Sequence, residues 1–274
     1  YFNKASEIYL NIRDQSGYAG TLMNISSAQL ELSDYDRALE NIQKAYGIYQ
    51  NEKLNEKLFG TMLALGEVYY RQGMFRNTLN SFKKAGDYAE GAVDKAVLAL
   101  DTGNLYYSWG NYDSATESYR DALKNADSFE EKYFINIFKA KCKGNMALVK
   151  SAQMKYDDAI SLYREAISIC EKNNLQSDMA DFYNGTGTAY LALEKFNDAL
   201  NYFSKAGLIY KQLNLESKTS VTIHNTGWVY FTQGKYDDAL TNFKTALSIA
   251  ERLGEKTNIA AYLDSIGIAC WHLK

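Results

Sequence analysis

The chain reads Tyr236-Asp237-Asp238-Ala239-Leu240 near its C-terminal end, and similar segments recur along its length. The earlier copies begin at Tyr35, Phe75, Tyr112, Tyr156 and Phe196. Successive leading aromatic residues are separated by 40, 37, 44, 40 and 40 residues. A fixed period between about 20 and 50 residues is typical of stacked-repeat proteins. The sequence therefore predicts an array of repeats whose function lies on an extended surface.

The copy that begins at Tyr236 has the pattern of an amphipathic helix. Its apolar residues fall at i, i+3, i+4, i+7, i+10, i+11 and i+14, which is one face of a helix. Asp237 and Asp238 occupy the first turn, where carboxylates interact favourably with the positive end of the helix dipole. A calcium site is the weaker interpretation of these Asp pairs because no further ligands follow at the spacing of a calcium loop.

Small residues form a second row, twelve positions before the recurring Ala or Thr of each copy. Because Gly within a helix costs about 0.5–1 kcal/mol relative to Ala, a row of glycines indicates positions that another helix approaches closely. We therefore expect a helix crossing at each position of this small-residue row. The row consists of Ser26, Gly66, Gly103, Ala147, Gly187, Gly227 and Gly267.

The recurring aromatic segments and the small-residue row, with turns such as Gly234-Lys235-Tyr236, resemble the tetratricopeptide repeat over essentially the whole chain. In such a repeat, a first helix carries the small-residue row and a second helix begins at the recurring aromatic residue. The resemblance implies an all-α fold, a right-handed α-solenoid of stacked helix-turn-helix repeats with about 14 helices. The period near 40 residues and the absence of Pro resemble variants in cell-polarity scaffolds and in bacterial regulators that sense peptides or carry sensor modules.

We expect a single superhelical domain over residues 1–274, with half repeats at 1–14 and 255–274. The six full repeats are expected at approximately 15–54, 55–91, 92–127, 128–174, 175–214 and 215–254. The unfinished ends suggest a fragment of a longer protein.

The 44-residue step predicts a local break around residues 128–153, where the helix register is ambiguous because either Ala147 or Gly144 could occupy the small-residue row. Three lysines of this segment, Lys139, Lys143 and Lys150, are interpreted as a solvated face rather than as an anion-binding patch.

Composition argues against several classes of function. The net charge is -3 and the basic residues are spread along the chain, so this segment is not expected to bind nucleic acid. No run approaches the roughly 18 apolar residues of a transmembrane helix, so membrane insertion is not expected. Cys142, Cys170 and Cys270 match no metal or redox spacing, and their odd number leans towards a reducing, cytoplasmic compartment. We expect neither a cofactor nor a metal.

Catalytic residues are not predicted. His224 and His272 are the only histidines, which leaves few ways to form a Ser-His-Asp or Cys-His centre. Cys270 and His272 are two positions apart and do not face each other on a helix. Gly185-Thr186-Gly187 lies within a predicted helix and lacks the Gly-Lys-Ser/Thr ending of a phosphate loop. The sequence therefore favours a non-enzymatic protein.

The resemblance implies a peptide or partner site along the concave wall that first helices form. The candidates lie in three rows beside the small-residue row, and their aromatic and amide side chains suit adaptable recognition. The candidates are Tyr70, Asn104, Tyr107, Asn184, His224, Trp228, Phe231 and Trp271. Alternatively, Tyr70, Tyr107 and Phe231 only complete the packing between neighbouring first helices.

Three functional hypotheses follow. The first is an interaction module that binds a protein or peptide partner in the concave groove. The second is a ligand- or peptide-sensing region of a bacterial signalling regulator, either a sensor kinase or a transcription regulator. The third is self-association into a homo-oligomer through uncapped end helices.

Overall fold

The computed structural model describes residues 1–129 and 131–273. These residues form fourteen α-helices and no β-strand, which confirms the predicted all-α class. Contacts divide the chain into two compact units, Tyr1–Glu130 and Glu131–Lys274. The boundary lies in the segment where the 44-residue step predicts a break. A single domain with the repeat bounds given above remains a prediction.

Each unit is a stack of helices in which neighbours along the chain pack side by side. The first unit contains α1 (Phe2–Asn11), α2 (Gln15–Glu31), α3 (Tyr35–Asn51), α4 (Asn55–Arg71), α5 (Phe75–Gly86), α6 (Gly91–Ser108) and α7 (Tyr112–Ala126). The second contains α8 (Lys132–Ala152), α9 (Tyr156–Asn173), α10 (Gln176–Ala192), α11 (Phe196–Gln212), α12 (Glu216–Thr232), α13 (Tyr236–Leu253) and α14 (Lys256–His272). The first helices of the repeats are the even-numbered helices.

Local sequence signals set the helix ends. The side chain of Asp14 accepts the backbone N–H of Gly17 at 2.8 Å at the start of α2. One residue in the turn between first and second helices adopts a left-handed conformation. Gly234 has φ 76° before α13, whereas the equivalent Met154 and Glu194 have φ 60° and 56° although they carry a Cβ. These turns end the helices without Pro.

The small-residue row marks helix crossings, as predicted. A Cβ added to Gly227 would lie 2.6 Å from the ring of Phe243, and one added to Gly187 would lie 2.7 Å from that of Phe203. Both rings are buried, so a methyl group added at either glycine would overlap a packed side chain. The same relationship holds for the pairs Gly66–Phe82 and Gly103–Tyr119. In α14, by contrast, Gly267 has no neighbouring atom within 4 Å of that position.

The register of α8 follows from burial. In four of the other five full repeats the residue two positions after the small-residue row is buried, as for Leu105 and Val229. Ala147 and Val149 are buried in the same way, so Ala147 occupies the row in α8. Lys143 pairs with Glu165 of α9, so one of the three lysines takes part in a contact between helices.

Candidate functional site

Polar contacts connect the first helices of the second unit. The Nδ2 of Asn225 on α12 donates to the Oδ1 of Asn184 on α10 at 3.1 Å. The Nε2 of His224 on α12 lies 2.8 Å from the Oγ of Ser265 on α14. This surface, defined by Asn184, His224, Asn225, Trp228 and Ser265, is termed the first-helix face. It brings together three of the predicted site residues.

His224 is held as a neutral hydrogen-bond acceptor. The Nε1–H of Trp228 donates to the Nε2 of His224 at 3.2 Å, and an indole N–H can only donate. The imidazole ring lies 4.5 Å from the ring of Tyr262 and 5.1 Å from that of Phe243. Burial among these rings lowers the pKa of His224 to about 4, because desolvation disfavours the charged form. At neutral pH, His224 therefore orients Trp228.

The Asn184–Asn225 pair leaves hydrogen-bonding groups available. The Nδ2 of Asn184 and the Oδ1 of Asn225 make no hydrogen bond to any other described residue. Both side chains are partly exposed. The pair therefore offers one donor and one acceptor, and a residue in an extended peptide presents its own carbonyl and N–H on the same side of the chain.

Trp228 is partly exposed and packs on two other aromatic rings. The Trp228 ring centroid lies 5.1 Å from that of Phe231 and 5.4 Å from that of Phe243, with both pairs in edge-to-face geometry. Such pairs are favourable beyond the area that they bury. Trp228 is therefore held in position by both a hydrogen bond and ring contacts.

The row that contains Phe231 contacts the aromatic residues with which second helices begin. Phe231 lies 5.3 Å from Tyr236, and it also contacts His272 of α14. In the first unit, the ring of Tyr70 contacts Phe75, and that of Tyr107 contacts Tyr112. The Tyr70 hydroxyl also lies 2.6 Å from the Oγ of Ser108. These contacts agree with the packing interpretation of Tyr70, Tyr107 and Phe231.

Asn104 and Trp271 differ in how far their neighbours constrain them. The Tyr119 hydroxyl donates to the Oδ1 of Asn104 at 2.9 Å, which ties Asn104 to the second helix of its own repeat. Trp271 lies against His272 and is 72% exposed. A peptide-binding role for either residue, and self-association through the end helices, remain predictions.

Asn225 and Ser265 belong to the first-helix face, and the sequence analysis missed them. Both lie two positions before the small-residue row, in a row that also contains Asn24, Asp101 and Asn145. Five of the seven residues in this row are polar, which was the available signal. Burial and, to a smaller extent, the charge of Glu67 raise the pKa of the Asp101 carboxyl to about 6.

The described residues include no group of three or more His, Cys, Asp or Glu side chains that could hold a metal ion. Within residues 1–129 and 131–273, no helix is both long and apolar enough to cross a membrane. Burial raises the pKa of both Cys142 and Cys170 to about 12, so these two thiols stay protonated at neutral pH.

Two family models for the tetratricopeptide repeat match the sequence. One matches residues 139–212 and 178–252, and the other matches residues 19–52 and 102–128. Together they cover more than half of the chain. The chain belongs to the tetratricopeptide repeat family.

One curated protein with similar repeats is the outer dynein arm-docking complex subunit 4 of Danio rerio. The two sequences are 25% identical over 170 residues, which are 58% of this chain and 35% of that protein. The chain thus spans about a third of the length of this relative.

Two of the solved structures that are similar in fold match more than 90% of this chain. Aspartyl phosphate phosphatase F from Bacillus subtilis has a TM-score of 0.74 at 17% identity, over 98% of this chain and 79% of that chain. The Rap conjugation gene regulator of the plasmid pLS20, in complex with the Phr* peptide, has a TM-score of 0.67 at 14% identity. That match covers 92% of this chain and 83% of the regulator. At these identities the likeness shows the fold, and it confirms a solenoid of tetratricopeptide-like helix pairs.

Proposed function

We propose that this protein is a non-enzymatic interaction module that binds an extended peptide or partner segment along the first-helix face of its second unit. The observation that carries the proposal is the Asn184–Asn225 pair. Its available donor and acceptor can bond the carbonyl and N–H of one residue in an extended ligand without regard to the ligand's side chains. Trp228, one turn beyond Asn225, offers a ring against which a ligand side chain can pack.

Preorganisation of this face supports the proposal. A ligand need not order Trp228, because His224, Phe231 and Phe243 already hold the indole. Asn184 and Asn225 likewise restrain each other. Groups that are ordered before binding lose less side-chain entropy when a ligand arrives. Membership of the tetratricopeptide repeat family favours a binding role over catalysis, and a concave form of this surface is part of the proposal.

The test begins with linear peptides selected from a random displayed library against the wild-type protein. We expect the double substitution Asn184→Ala and Asn225→Ala to weaken the best peptide by about tenfold or more, because two backbone hydrogen bonds are lost. The matched control replaces Asn197 and Asn201, which are exposed on α11, with Ala. If both double variants keep their helicity and bind the peptide with equal affinity, the Asn184–Asn225 pair is not part of the binding site.

A second candidate is a peptide-sensing region of a signalling regulator. It is favoured by the likeness in fold to the Rap regulator that was solved with the Phr* peptide. Sensing requires that a ligand shift an equilibrium between conformations, whereas a simple module only binds. Hydrogen exchange with and without a selected peptide separates the two. Altered protection in residues 1–129 as well as in α10, α12 and α14 supports sensing, and changes confined to those three helices support the simple module.

A further inference from the structure

A cleft of about 400 Å³ opens between α11, α12 and α13 in the second unit. Its α12 residues, which include Thr222, Thr226 and Tyr230, lie on the side of that helix opposite His224 and Trp228. Phe203 and Ile223 provide apolar surface, and Asn242 lines the cleft from α13. The volume falls within the range of small-ligand sites. This cleft is therefore separate from the first-helix face.

The preceding repeat shows how the equivalent space is normally filled. Four small or medium residues of the cleft correspond to larger residues forty positions earlier in the sequence. Ser204, Gly207, Thr222 and Asn242 correspond to Arg164, Ile167, Phe182 and Tyr202. Both Ile167 and Phe182 are buried. The cleft therefore exists because four large side chains from three helices are all replaced by smaller ones.

In the preceding repeat, the position of Ser204 is taken by Arg164, an exposed residue. The Nη2 of Arg164 donates to the hydroxyl of Tyr190 at 2.7 Å. The Tyr190 ring stacks on Tyr202 at a centroid distance of 5.4 Å, and Tyr190 is only 7% exposed. The Nζ of Lys195 lies 5.9 Å from the centroid of the Tyr190 ring, so a second cation is tolerated beside the guanidinium.

The cleft retains one of the groups that receive this arginine, a tyrosine hydroxyl. Tyr230 corresponds to Tyr190, and the Nζ of Lys235 lies 5.9 Å from its ring centroid, as Lys195 does in the preceding repeat. The Tyr230 hydroxyl makes no hydrogen bond to the residues that the structure describes. The Nδ2 of Asn242 donates to the carbonyl of Asp238, which leaves its Oδ1 as a second acceptor.

We propose that this cleft binds the guanidinium group of an arginine side chain that a partner protein or peptide supplies. The guanidinium donates to the Tyr230 hydroxyl, as Arg164 does to Tyr190, and to the Oδ1 of Asn242. The methylene groups of the arginine pack on Phe203 and Ile223. A planar guanidinium with several fixed donors fits two acceptors better than a lysine ammonium does. This site does not depend on the function proposed for the first-helix face.

Nuclear magnetic resonance of the methyl groups of Leu200 and Ile223 tests the proposal, because both residues line the cleft. The probe is N-acetyl-L-arginine methylamide. We expect saturable shifts of these methyl signals, and binding of N-acetyl-L-lysine methylamide about tenfold weaker. Unshifted signals, or equal affinities for the two probes, would overturn the proposal. Tighter binding of free L-arginine than of the capped probe would show that the cleft prefers the free amino acid, and it would contradict a guanidinium supplied by a partner's side chain.

Two variants and one control locate the probe. Tyr230→Phe keeps the ring and removes the hydroxyl, and we expect roughly tenfold weaker binding of the arginine probe. Ser204→Arg restores the residue of the preceding repeat and should abolish the shifts by filling the cleft. Ser161→Arg adds the same charge at an exposed position of α9 and should leave them unchanged. Shifts that persist in Ser204→Arg would contradict the assignment, and if that variant does not fold, Tyr230→Phe decides.

Discussion

Trp228 and His224, one turn apart on α12, are joined by a hydrogen bond in which the indole N–H donates to the imidazole Nε2 over 3.2 Å. The Oγ of Ser265 lies 2.8 Å from the same nitrogen and 3.0 Å from the carbonyl oxygen of Ala261, and its hydroxyl can donate to either acceptor. A proton on Nε2 would leave two N–H groups facing each other and break the bond to Trp228. The protonation state of His224 therefore controls how Trp228 is held.

Stability is expected to fall as the pH is lowered from about 6.5 to about 4, in part because of His224. Its pKa of about 4 in the folded protein lies below the ordinary value near 6.5, so the unfolded chain binds the proton more readily. The stabilisation that neutral His224 contributes is complete above pH 6.5 and is lost as the pH falls through 4. After a discount for partial solvent screening, we expect His224 to account for a loss of about 1 kcal/mol in the free energy of unfolding, measured with urea.

His224→Gln should reduce this dependence on pH, whereas His272→Gln, at an exposed position, should not. Unfolding free energies of the three proteins at pH 7 and pH 4.5 provide the comparison. The same pH dependence in wild type and His224→Gln would contradict the role of His224.

Gly227→Ala is expected to destabilise the protein by about 1–3 kcal/mol because the new methyl group would overlap the buried ring of Phe243. The matched control is Gly267→Ala, in the same row of α14, where nothing lies within 4 Å. That change should be neutral or stabilise by about 0.5–1 kcal/mol, because Ala favours helix. Chemical unfolding measures both. Equal effects would indicate that the small residues reflect something other than helix crossings.

Asp101→Asn is expected to stabilise the protein at neutral pH by an amount on the order of 2 kcal/mol. The pKa of Asp101 is raised to about 6, so the folded state binds its proton more tightly than the unfolded chain does. The Asp101 carboxyl therefore stabilises the folded state most below about pH 4, and this stabilisation is lost as the pH rises through 6. Unfolding at pH 7 and pH 4 should show the gain only at pH 7, and the exposed Asp121→Asn should show none.

Met154→Gly is expected to raise stability by about 1 kcal/mol, because a left-handed residue with a Cβ is strained and Gly is not. Met154→Ala removes most of the same side chain but keeps the Cβ, and it should not produce this gain. Thermal unfolding of both variants measures the difference. A similar melting temperature for the two would show that the backbone at this turn carries little strain.

The helices and their crossings could be predicted because both depend on spacing along the chain. Apolar residues at helical intervals define the buried side of α13, and the row containing Gly227 marks its contact with α12. These signals recur in each repeat, so they support one another. The αL turn at Met154 was harder to predict because no Gly stands there. The assignment of Ala147 rather than Gly144 to the small-residue row of α8 also required the observed burial.

The candidate site could be predicted only as rows of residues. Asn184, His224 and Trp228 were proposed from their positions beside the small-residue row, whereas Asn225 and Ser265, which contact them, were not. Their hydrogen bonds join residues on different helices that are 41 positions apart in the sequence. Such a contact depends on the distance between two helices and on side-chain rotamers, neither of which the sequence period specifies.

The sequence by itself determined a helical repeat array, because the 3.6-residue period of the backbone and the close approach at small residues are local constraints. Only the tertiary structure decided which polar groups meet, which side chains are desolvated and where space remains. The pKa of His224 depends on rings from α13 and α14, and the cleft beside Tyr230 depends on small residues from three helices. Both properties belong to the packed assembly of helices, because each requires atoms that the chain brings together only when it folds.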